Sequence, residues 1–500
     1  MGEKTILRGG LVCDGSGAEP VAGELLIEGE KIVGVGDPGA FRDAVEAAVI
    51  DCAGKVVAPG FIDAHSHCEI RKLKYPDCRS KLLQGVTTEV AGNCGESVTC
   101  VPGKFGETCW NDLTGYAMLL ADRPASTNTV ALCGHNSIRK AVMGNRDSAP
   151  TADELKAMRK LLEAAFAAGA AGWTTGLTYF PGKFADTAEL EYLNAATRGT
   201  EKIYATHMRS EGDKLLEAVD EAFRIARAGS ERLQVSHLKT IYSRNFHKID
   251  ALLEKLETER KNGMFLHADR YPYIHSSTYI RQALPPPYNL DADIAAKLRA
   301  SETLRDEVTE ALKGCPRDLP TAVVLRRAKD LTEIAAENGI TVERAAMELI
   351  MEKPNAFVAY RCMSAENLKR IVSKSWVCAG SDGVSMPLDD PANIGHPRSV
   401  GTFPRFFRMV AAEFGVGEAV RRMTSLPAKV FRIPDRGLVR RGFVADLVVF
   451  DAEKFDSQAG FRGEDPMPSG VARVLVAGKQ AWSADSPEHV GRFGRYLPID

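Results

Sequence analysis

Several features that mark other protein classes are missing from this chain of 500 residues. It contains no run of about 18 or more apolar residues, so we do not expect a transmembrane helix. The opening residues, MGEKTILRGG, lack the apolar core of a signal peptide. No internal repeat or low-complexity segment stands out. We therefore expect a cytoplasmic protein that makes no membrane contact.

Strong charge and a disulfide framework are also absent. The formal net charge is only −2, whereas proteins that bind nucleic acid carry a strongly basic surface. The 11 cysteines are odd in number and form no compact repeating pattern, which indicates reduced thiols. With 44% hydrophobic residues the chain can bury a large core. These features favour a soluble enzyme with a small-molecule substrate, and they do not indicate an oligomeric state.

The most informative segment is residues 59–67, PGFIDAHSH, in which an apolar strand pattern ends on His65 and His67. Residues i and i+2 of a strand point to the same face, so the two imidazoles can share one metal ion. Two histidines that are merely hydrogen-bonded at a strand end are an alternative, and this motif alone leaves it open. The rest of the chain must supply further ligands.

Four more strand-like segments end on a side chain that can bind a metal or move a proton, namely Cys94, His207, His237 and Asp382. The carboxyl ends of strands in a (β/α)8 barrel meet on one face, where the active site of that fold lies. Helical periodicity alternates with the strands, as in residues 152–168, which follow a Thr151 cap. We therefore predict an α/β fold with a TIM-type (β/α)8 barrel.

The residue types predict zinc, which accepts thiolate and imidazole ligands together and leaves a position for water. Asp382 is the candidate general base and acid, since it can take a proton from water and return it to a leaving amine. An aspartate before a glycine is also common in turns and helix caps. Either histidine taken alone, His207 or His237, is more commonly structural.

Three regions can be recognised along the chain. Short alternating strands at both ends predict a β-sandwich built from residues 1–57 and 430–500. Between them we place the barrel, residues 58–429. Within the barrel, residues of about 285–350 begin with three prolines and continue with charged helical stretches, which predicts an α-helical insertion near the mouth of the barrel. A peripheral position without contact to the site is the alternative.

These motifs resemble the amidohydrolase superfamily, and within it the D-aminoacylase (N-acyl-D-amino-acid deacylase) family. The GNCG motif at Cys94 is the most discriminating, because other amidohydrolases usually bridge their metals with a carboxylated lysine. Further stretches that resemble the family are residues 85–95, 204–212, 234–239, 380–383, 396–405 and 423–451. The resemblance implies a zinc-dependent enzyme that hydrolyses the amide bond of N-acyl-D-amino acids to a carboxylate and a free D-amino acid.

The resemblance also implies roles for individual residues. One tight zinc ion would be bound by Cys94, His207 and His237, and a second, weaker position, whose occupancy the sequence leaves open, by His65 and His67 with Cys94 and Asp382. Lys239 and Tyr279 fall where the family binds the substrate carboxylate. Arg281 is our own addition, because a guanidinium binds a carboxylate bidentately; a surface salt bridge is its alternative. The remaining histidines are interpreted as structural: His135, His247, His267, His275, His396 and His489.

The sequence departs from the family at two places near the mouth. Cys68 and Glu69 follow His67 where the family commonly has an aspartate, and His275 is unexpected. The side-chain preference of the substrate therefore stays open. Three alternatives to the deacylase also stay open: a dipeptidase, a cyclic amide hydrolase, or a catalytically inactive binding protein on the same scaffold.

Overall fold

The N-terminal region forms strands of a single sheet. A computed structural model describes residues 3–44, 46–291, 293–388, 395–462, 464–465 and 467–500. The first strands are β1 (Lys4–Val12), β2 (Val21–Glu28), β3 (Lys31–Gly36), β4 (Ala48–Asp51) and β5 (Val56–Pro59). Strands β1, β2 and β3 form an antiparallel meander, while β4 and β5 both pair with β1 in parallel.

Eight parallel strands follow and close into a barrel. They are β6 (Phe61–Asp63), β7 (Val86–Ala91), β8 (Asn128–Gly134), β9 (Gly172–Gly176), β10 (Ile203–His207), β11 (Arg232–Val235), β12 (Phe265–Arg270) and β13 (Val377–Ala379). The first and last strands meet, since the Ala64 amide donates to the Ala379 carbonyl (3.2 Å) and the Asp382 amide to the His65 carbonyl (2.8 Å). The predicted (β/α)8 barrel is confirmed.

Helices surround the barrel, and four of those given next belong to the insertion instead. They are α1 (Glu69–Lys74), α2 (Arg79–Leu82), α3 (Leu113–Asp122), α4 (His135–Met143), α5 (Ala152–Ala167), α6 (Thr187–Asn194), α7 (Leu215–Arg227), α8 (Ile249–Lys261), α9 (Ile294–Ala300), α10 (Glu302–Leu312), α11 (Leu331–Asn338), α12 (Val342–Glu352), α13 (Ala365–Val372), α14 (Arg398–Met423, kinked at Gly415) and α15 (Ser425–Val430). As predicted, Thr151 caps α5, where its side chain and that of Glu154 form a capping box. Within the described ranges, no helix has the length and apolarity needed to span a membrane.

The C-terminal strands complete the first sheet, which confirms that both chain ends contribute to it. They are β14 (Leu447–Phe450), β15 (Val471–Val476) and β16 (Lys479–Ser483). Strand β14 pairs with β5, so that Val449 lies opposite Val57. Side chains alternate between the two faces of a strand: Val57 and Val449 pack within the sheet's own core, whereas Val448 and Phe450 pack against the barrel. The exact domain boundaries stay a prediction.

The insertion has its own hydrophobic core, which includes Tyr271 and Tyr273 directly after β12 and thereby attaches it to the barrel mouth. Besides helices α9 to α12, it contains short antiparallel strands that we did not anticipate: His275–Tyr279, Val323–Val324, Lys329–Asp330 and Phe357–Arg361. Two of these have only two residues and HSSTY is polar, so these three lack the apolar pattern that predicts a strand. The fourth, FVAYR, is mostly apolar and has a strand signal that we overlooked.

An aromatic cluster joins the barrel to the sheet, and its loss should destabilise the protein. The Phe450 ring lies 5.8 Å from Phe61, 5.5 Å from Phe407 and 5.2 Å from Phe455, measured between ring centres. We expect Phe450→Ala to lower the free energy of unfolding by about 3–5 kcal/mol, because it removes a large buried ring. Urea denaturation measures this loss, with the partly exposed Phe414→Ala as the control. Equal midpoints for the two variants would contradict the assignment.

Candidate metal centre

Two groups of possible metal ligands share Cys94 at the carboxyl end of the barrel. The first contains His65, His67, Cys94 and Asp382, and the second contains Cys94, His207 and His237. Within each group the ligand atoms all lie within 4.8 Å of one another. The structure therefore brings together all six residues that the sequence placed at strand ends.

The Cys94 sulfur is the point where the imidazoles converge. Its distance to Nε2 of His65 is 3.3 Å, to Nε2 of His237 3.4 Å and to Nδ1 of His207 3.7 Å. On the other side, Nε2 of His67 lies 3.2 Å from Oδ1 of Asp382. Nε2 of His65 lies 3.6 Å from the same oxygen. This spacing lets neighbouring donor atoms share an ion.

The backbone turns sharply at three of these residues. Cys94, His237 and Asp382 follow the ends of β7, β11 and β13, and their φ angles are 54°, 37° and 48°. This left-handed conformation costs a residue other than glycine on the order of 1–3 kcal/mol. In the GNCG motif the backbone is equally constrained, since a Cβ on Gly92 would collide with the Leu132 carbonyl oxygen. This backbone conformation directs the three side chains toward the site.

The charges of the site favour anionic ligands. Burial would raise the pKa of the Cys94 thiol, but the imidazoles of His65 and His237 outweigh it, and the pKa lies well below its usual value. Burial also opposes ionisation of Asp382, and Arg398 with the neighbouring histidines lowers the pKa of this carboxyl below its usual range. The guanidinium of Arg398 lies 2.9 Å from Oδ2 of Asp382. The lowered pKa values therefore favour the anionic forms of Cys94 and Asp382.

Two buried carboxylates orient the imidazoles, and sequence reasoning missed both. Asp269 accepts from Nδ1 of His65 (3.0 Å) and from the backbone amide of His237 (2.8 Å). Glu211 lies 3.0 Å from Nδ1 of His237. The hydrogen bond between Nδ1 of His65 and Asp269 leaves Nε2 of His65 free to bind a metal. Nδ1 of His237 also lies 2.7 Å from the ammonium group of Lys239. Asp269 is the last residue but one of strand β12 and could have been found as an acid near a strand end, like Asp382. Glu211 lies in a loop and has no such signal.

The donor set fits zinc. One thiolate with several imidazoles and a carboxylate is the mixed sulfur, nitrogen and oxygen chemistry that zinc accepts. Carboxylates behind the imidazoles, as Asp269 and Glu211 lie here, are the usual support of such ligands.

Comparisons with known proteins agree with this geometry. A sequence profile of the amidohydrolase family matches residues 48–269. The chain is 32% identical to a D-aminoacylase of Alcaligenes xylosoxydans xylosoxydans, over 97% of this chain and 96% of the relative. The chain belongs to the D-aminoacylase family of amidohydrolases.

Solved structures of this family share the whole fold. An N-acyl-D-glutamate deacylase from Bordetella bronchiseptica, in complex with zinc and a phosphonate inhibitor that mimics the tetrahedral intermediate, superposes with a TM-score of 0.83 at 31% identity and covers 100% of both chains. A D-aminoacylase described as having a binuclear metal centre, with one-metal activation and second-metal attenuation, superposes with a TM-score of 0.80 at 30% identity and covers 99% of both chains.

Of the three predicted substrate-binding residues in this D-aminoacylase-family chain, only Lys239 lines the cavity that contains candidate metal ligands. It lines a cavity of about 420 Å³ together with His207, His237 and Asp382. Its ammonium group lies 2.5 Å from Glu211, which neutralises it. Tyr279 and Arg281 line a neighbouring cavity of about 570 Å³. Tyr271, which sequence reasoning did not select, lines the metal cavity.

The residues that depart from the family pattern lie behind or beside the site. Glu69 is buried, and burial raises the pKa of its carboxyl to about 7. The ring of His275 packs 4.7 Å from that of Phe461. In the part of the chain that the structure describes, neither ligand group includes any of the six histidines interpreted as structural.

Removal of a supporting carboxylate should weaken metal binding without removing a ligand. We expect Asp269→Asn to lower the zinc affinity about 10- to 100-fold, because the amide orients His65 less well than the carboxylate does. Competition with a chromogenic chelator measures the affinity. The surface variant Asp435→Asn should bind zinc as the unchanged protein does. An Asp269→Asn protein with wild-type affinity would show that this carboxylate does not support the site.

Proposed function

We propose that this protein hydrolyses the amide bond of N-acyl-D-amino acids and releases a carboxylate and a free D-amino acid. The observation that carries the proposal is the convergence of Cys94, four imidazoles and Asp382 on one point at the barrel mouth. Relatives over nearly the whole chain are a D-aminoacylase and N-acyl-D-aspartate and N-acyl-D-glutamate deacylases, which supports both the linear amide and the D configuration.

We assign the tight zinc ion to Cys94, His207 and His237, and a weaker second position to His65 and His67 with Cys94 and Asp382. The two overlapping ligand groups support this division. Similarity to a D-aminoacylase with a binuclear centre supports two positions as well. When bound, zinc lowers the pKa of water toward about 7 and polarises a carbonyl oxygen.

Asp382 handles the protons in this proposal. Its low pKa keeps the carboxylate ionised at neutral pH, so it can accept a proton from the attacking water. It then delivers that proton to the nitrogen of the departing amine, as one group acting first as base and then as acid. Arg398 pairs with Oδ2, which leaves Oδ1 facing His67 and the ligand cluster.

The cavity suits a small substrate. Its volume of about 420 Å³ falls within the range of small-molecule sites. We retain Lys239 as the candidate for the α-carboxylate, because it lines this cavity beside His237. Glu211 already neutralises its charge, so a substrate carboxylate would share the ammonium group with Glu211. Tyr279 and Arg281 contribute only if the substrate reaches the neighbouring cavity.

A panel of substrates tests the activity directly. We expect the zinc-loaded protein to release amine from N-acetyl-D-amino acids but not from their L-enantiomers, since the family relatives act on D-substrates. A chelated sample should lose this activity and regain it with added zinc. Turnover of dipeptides or cyclic amides instead, by protein that contains zinc, would contradict the deacylase proposal. Stoichiometric binding without turnover would favour an inactive binding protein.

The role of Asp382 is tested by a variant of the same size. We expect Asp382→Asn to lower kcat about 10²- to 10⁴-fold, because an amide cannot accept the proton. The zinc at Cys94, His207 and His237 should stay at its wild-type level, as measured by elemental analysis. Asp485→Asn, at an exposed carboxylate that pairs with Arg473, is the control. An Asp382→Asn protein of undiminished kcat would exclude the mechanism.

A further inference from the structure

Four basic side chains line the metal cavity: Arg209, Lys214, Lys239 and Arg317. Two of them are neutralised by neighbouring carboxylates. Arg209 lies 2.9 Å from Glu221 and also donates to backbone carbonyls, and Lys239 lies 2.5 Å from Glu211. Lys214 is exposed at the rim. Arg317 is half-buried, and among the described residues no carboxylate lies within ion-pair distance of it. The cavity therefore presents one guanidinium whose charge is not compensated by the protein.

The surroundings of Arg317 hold it in a defined orientation. The centre of its guanidinium lies 4.9 Å from the ring of Tyr360 and 5.9 Å from that of Tyr242, and stacking of this kind restricts a guanidinium plane. Its Nε donates to the carbonyl of Gln282 at 3.2 Å. Because Nε is occupied, the two terminal nitrogens remain as donors. A pair of parallel N–H groups is the arrangement that binds a carboxylate bidentately.

We propose that Arg317 binds the side-chain carboxylate of the substrate, so that the protein prefers N-acyl derivatives of acidic D-amino acids. This inference rests on the proposed function and names its substrate class. An N-acyl-D-glutamate or N-acyl-D-aspartate carries two carboxylates, and the α-carboxylate is assigned to Lys239, which follows strand β11 of the barrel. Arg317 belongs to the insertion, between α10 and the strand Val323–Val324. The two cations thus come from separate parts of the fold and can serve separate carboxylates.

The energetics favour an acidic over a neutral side chain. A half-buried guanidinium loses hydration when a substrate fills the cavity, and this loss is best compensated if the substrate supplies an anion. An apolar substrate side chain would leave the terminal nitrogens of Arg317 without acceptors. A site that hydrogen-bonds a polar group of its substrate strongly rejects an analogue without that group. An apolar pocket rejects a substrate that is one methylene smaller much less strongly. Arg317 therefore acts on specificity and not on the chemical step.

The test compares an acid with its neutral isostere. Steady-state kinetics of the zinc-loaded protein are measured on N-acetyl-D-glutamate and N-acetyl-D-glutamine, which have the same size but end in a carboxylate and a neutral carboxamide, respectively. We expect the wild type to prefer the acid at least about 100-fold in kcat/KM, mainly through KM. Arg317→Gln should abolish this preference, chiefly by lowering kcat/KM for N-acetyl-D-glutamate. Arg317→Lys should restore part of it, and N-acetyl-D-aspartate shows which acid fits better.

A matched control is Arg327→Gln, which removes an exposed arginine of the same insertion that pairs with Glu352 and should leave the preference unchanged. A wild type that prefers glutamine, or an Arg317→Gln variant that loses both activities equally, would overturn the inference while the deacylase proposal stands. If no N-acetyl-D-amino acid is hydrolysed at all, the proposed function fails and the inference fails with it. Circular dichroism of each variant verifies that it is folded. If Arg317→Gln does not fold, the substrate preference of Arg317→Lys provides the test.

Discussion

The compensation of buried charge around Cys94 is the constraint on which this site depends. A thiolate and the carboxylates of Asp269, Glu211 and Asp382 all lie at or below the barrel mouth, largely out of water. Each buried ion costs several kcal/mol unless it is paired or bound to a metal. The ammonium group of Lys239 and the guanidinium of Arg398 supply the opposite charge, and the imidazole of His65 contributes a hydrogen bond to Asp269. Because His65, His237 and Asp382 are held by such partners, their donor atoms are oriented before a metal arrives, as precise catalytic geometry requires.

Pairing of buried charges also helps to close the barrel, below the candidate metal ligands. The ammonium group of Lys81 lies 2.7 Å from Asp63 and 2.9 Å from the hydroxyl of Ser381. Asp63 also accepts from the backbone amides of His65 (3.2 Å) and Ser381 (2.8 Å). This network connects the first barrel strand to the segment that follows the last one. It therefore holds the backbone from which His65 and Asp382 project, and ties the catalytic geometry to the closure of the fold.

In the proposed assignment the barrel supplies the metal ligands and Lys239, and the insertion supplies Arg317. All six candidate metal ligands come from the ends of barrel strands, whose positions the hydrogen-bonded sheet holds rigidly. Arg317 comes from the insertion, which packs on the barrel mouth through its own core around Tyr271 and Tyr273. Segments beyond the strand ends can change without disturbing the barrel, which is how this fold supports different substrates. If Arg317 binds the substrate side chain as proposed, changes in the insertion can alter substrate preference while the metal ligands stay in place.

Much of this organisation was predictable from local pattern. Alternation of strands with helices indicated the barrel, and the period of two along a strand placed His65 and His67 on one face. Strand ends then located Cys94, His207, His237 and Asp382, because parallel strands of a closed sheet bring their carboxyl ends together whatever lies between them.

The tertiary structure alone decided the pairing of Lys239 with Glu211, the support by Asp269, and the separation of Tyr279 and Arg281 from the metal cavity. These contacts depend on the paths of loops and of the insertion. No sequence period governs such paths, so residue spacing there does not determine which side chains meet.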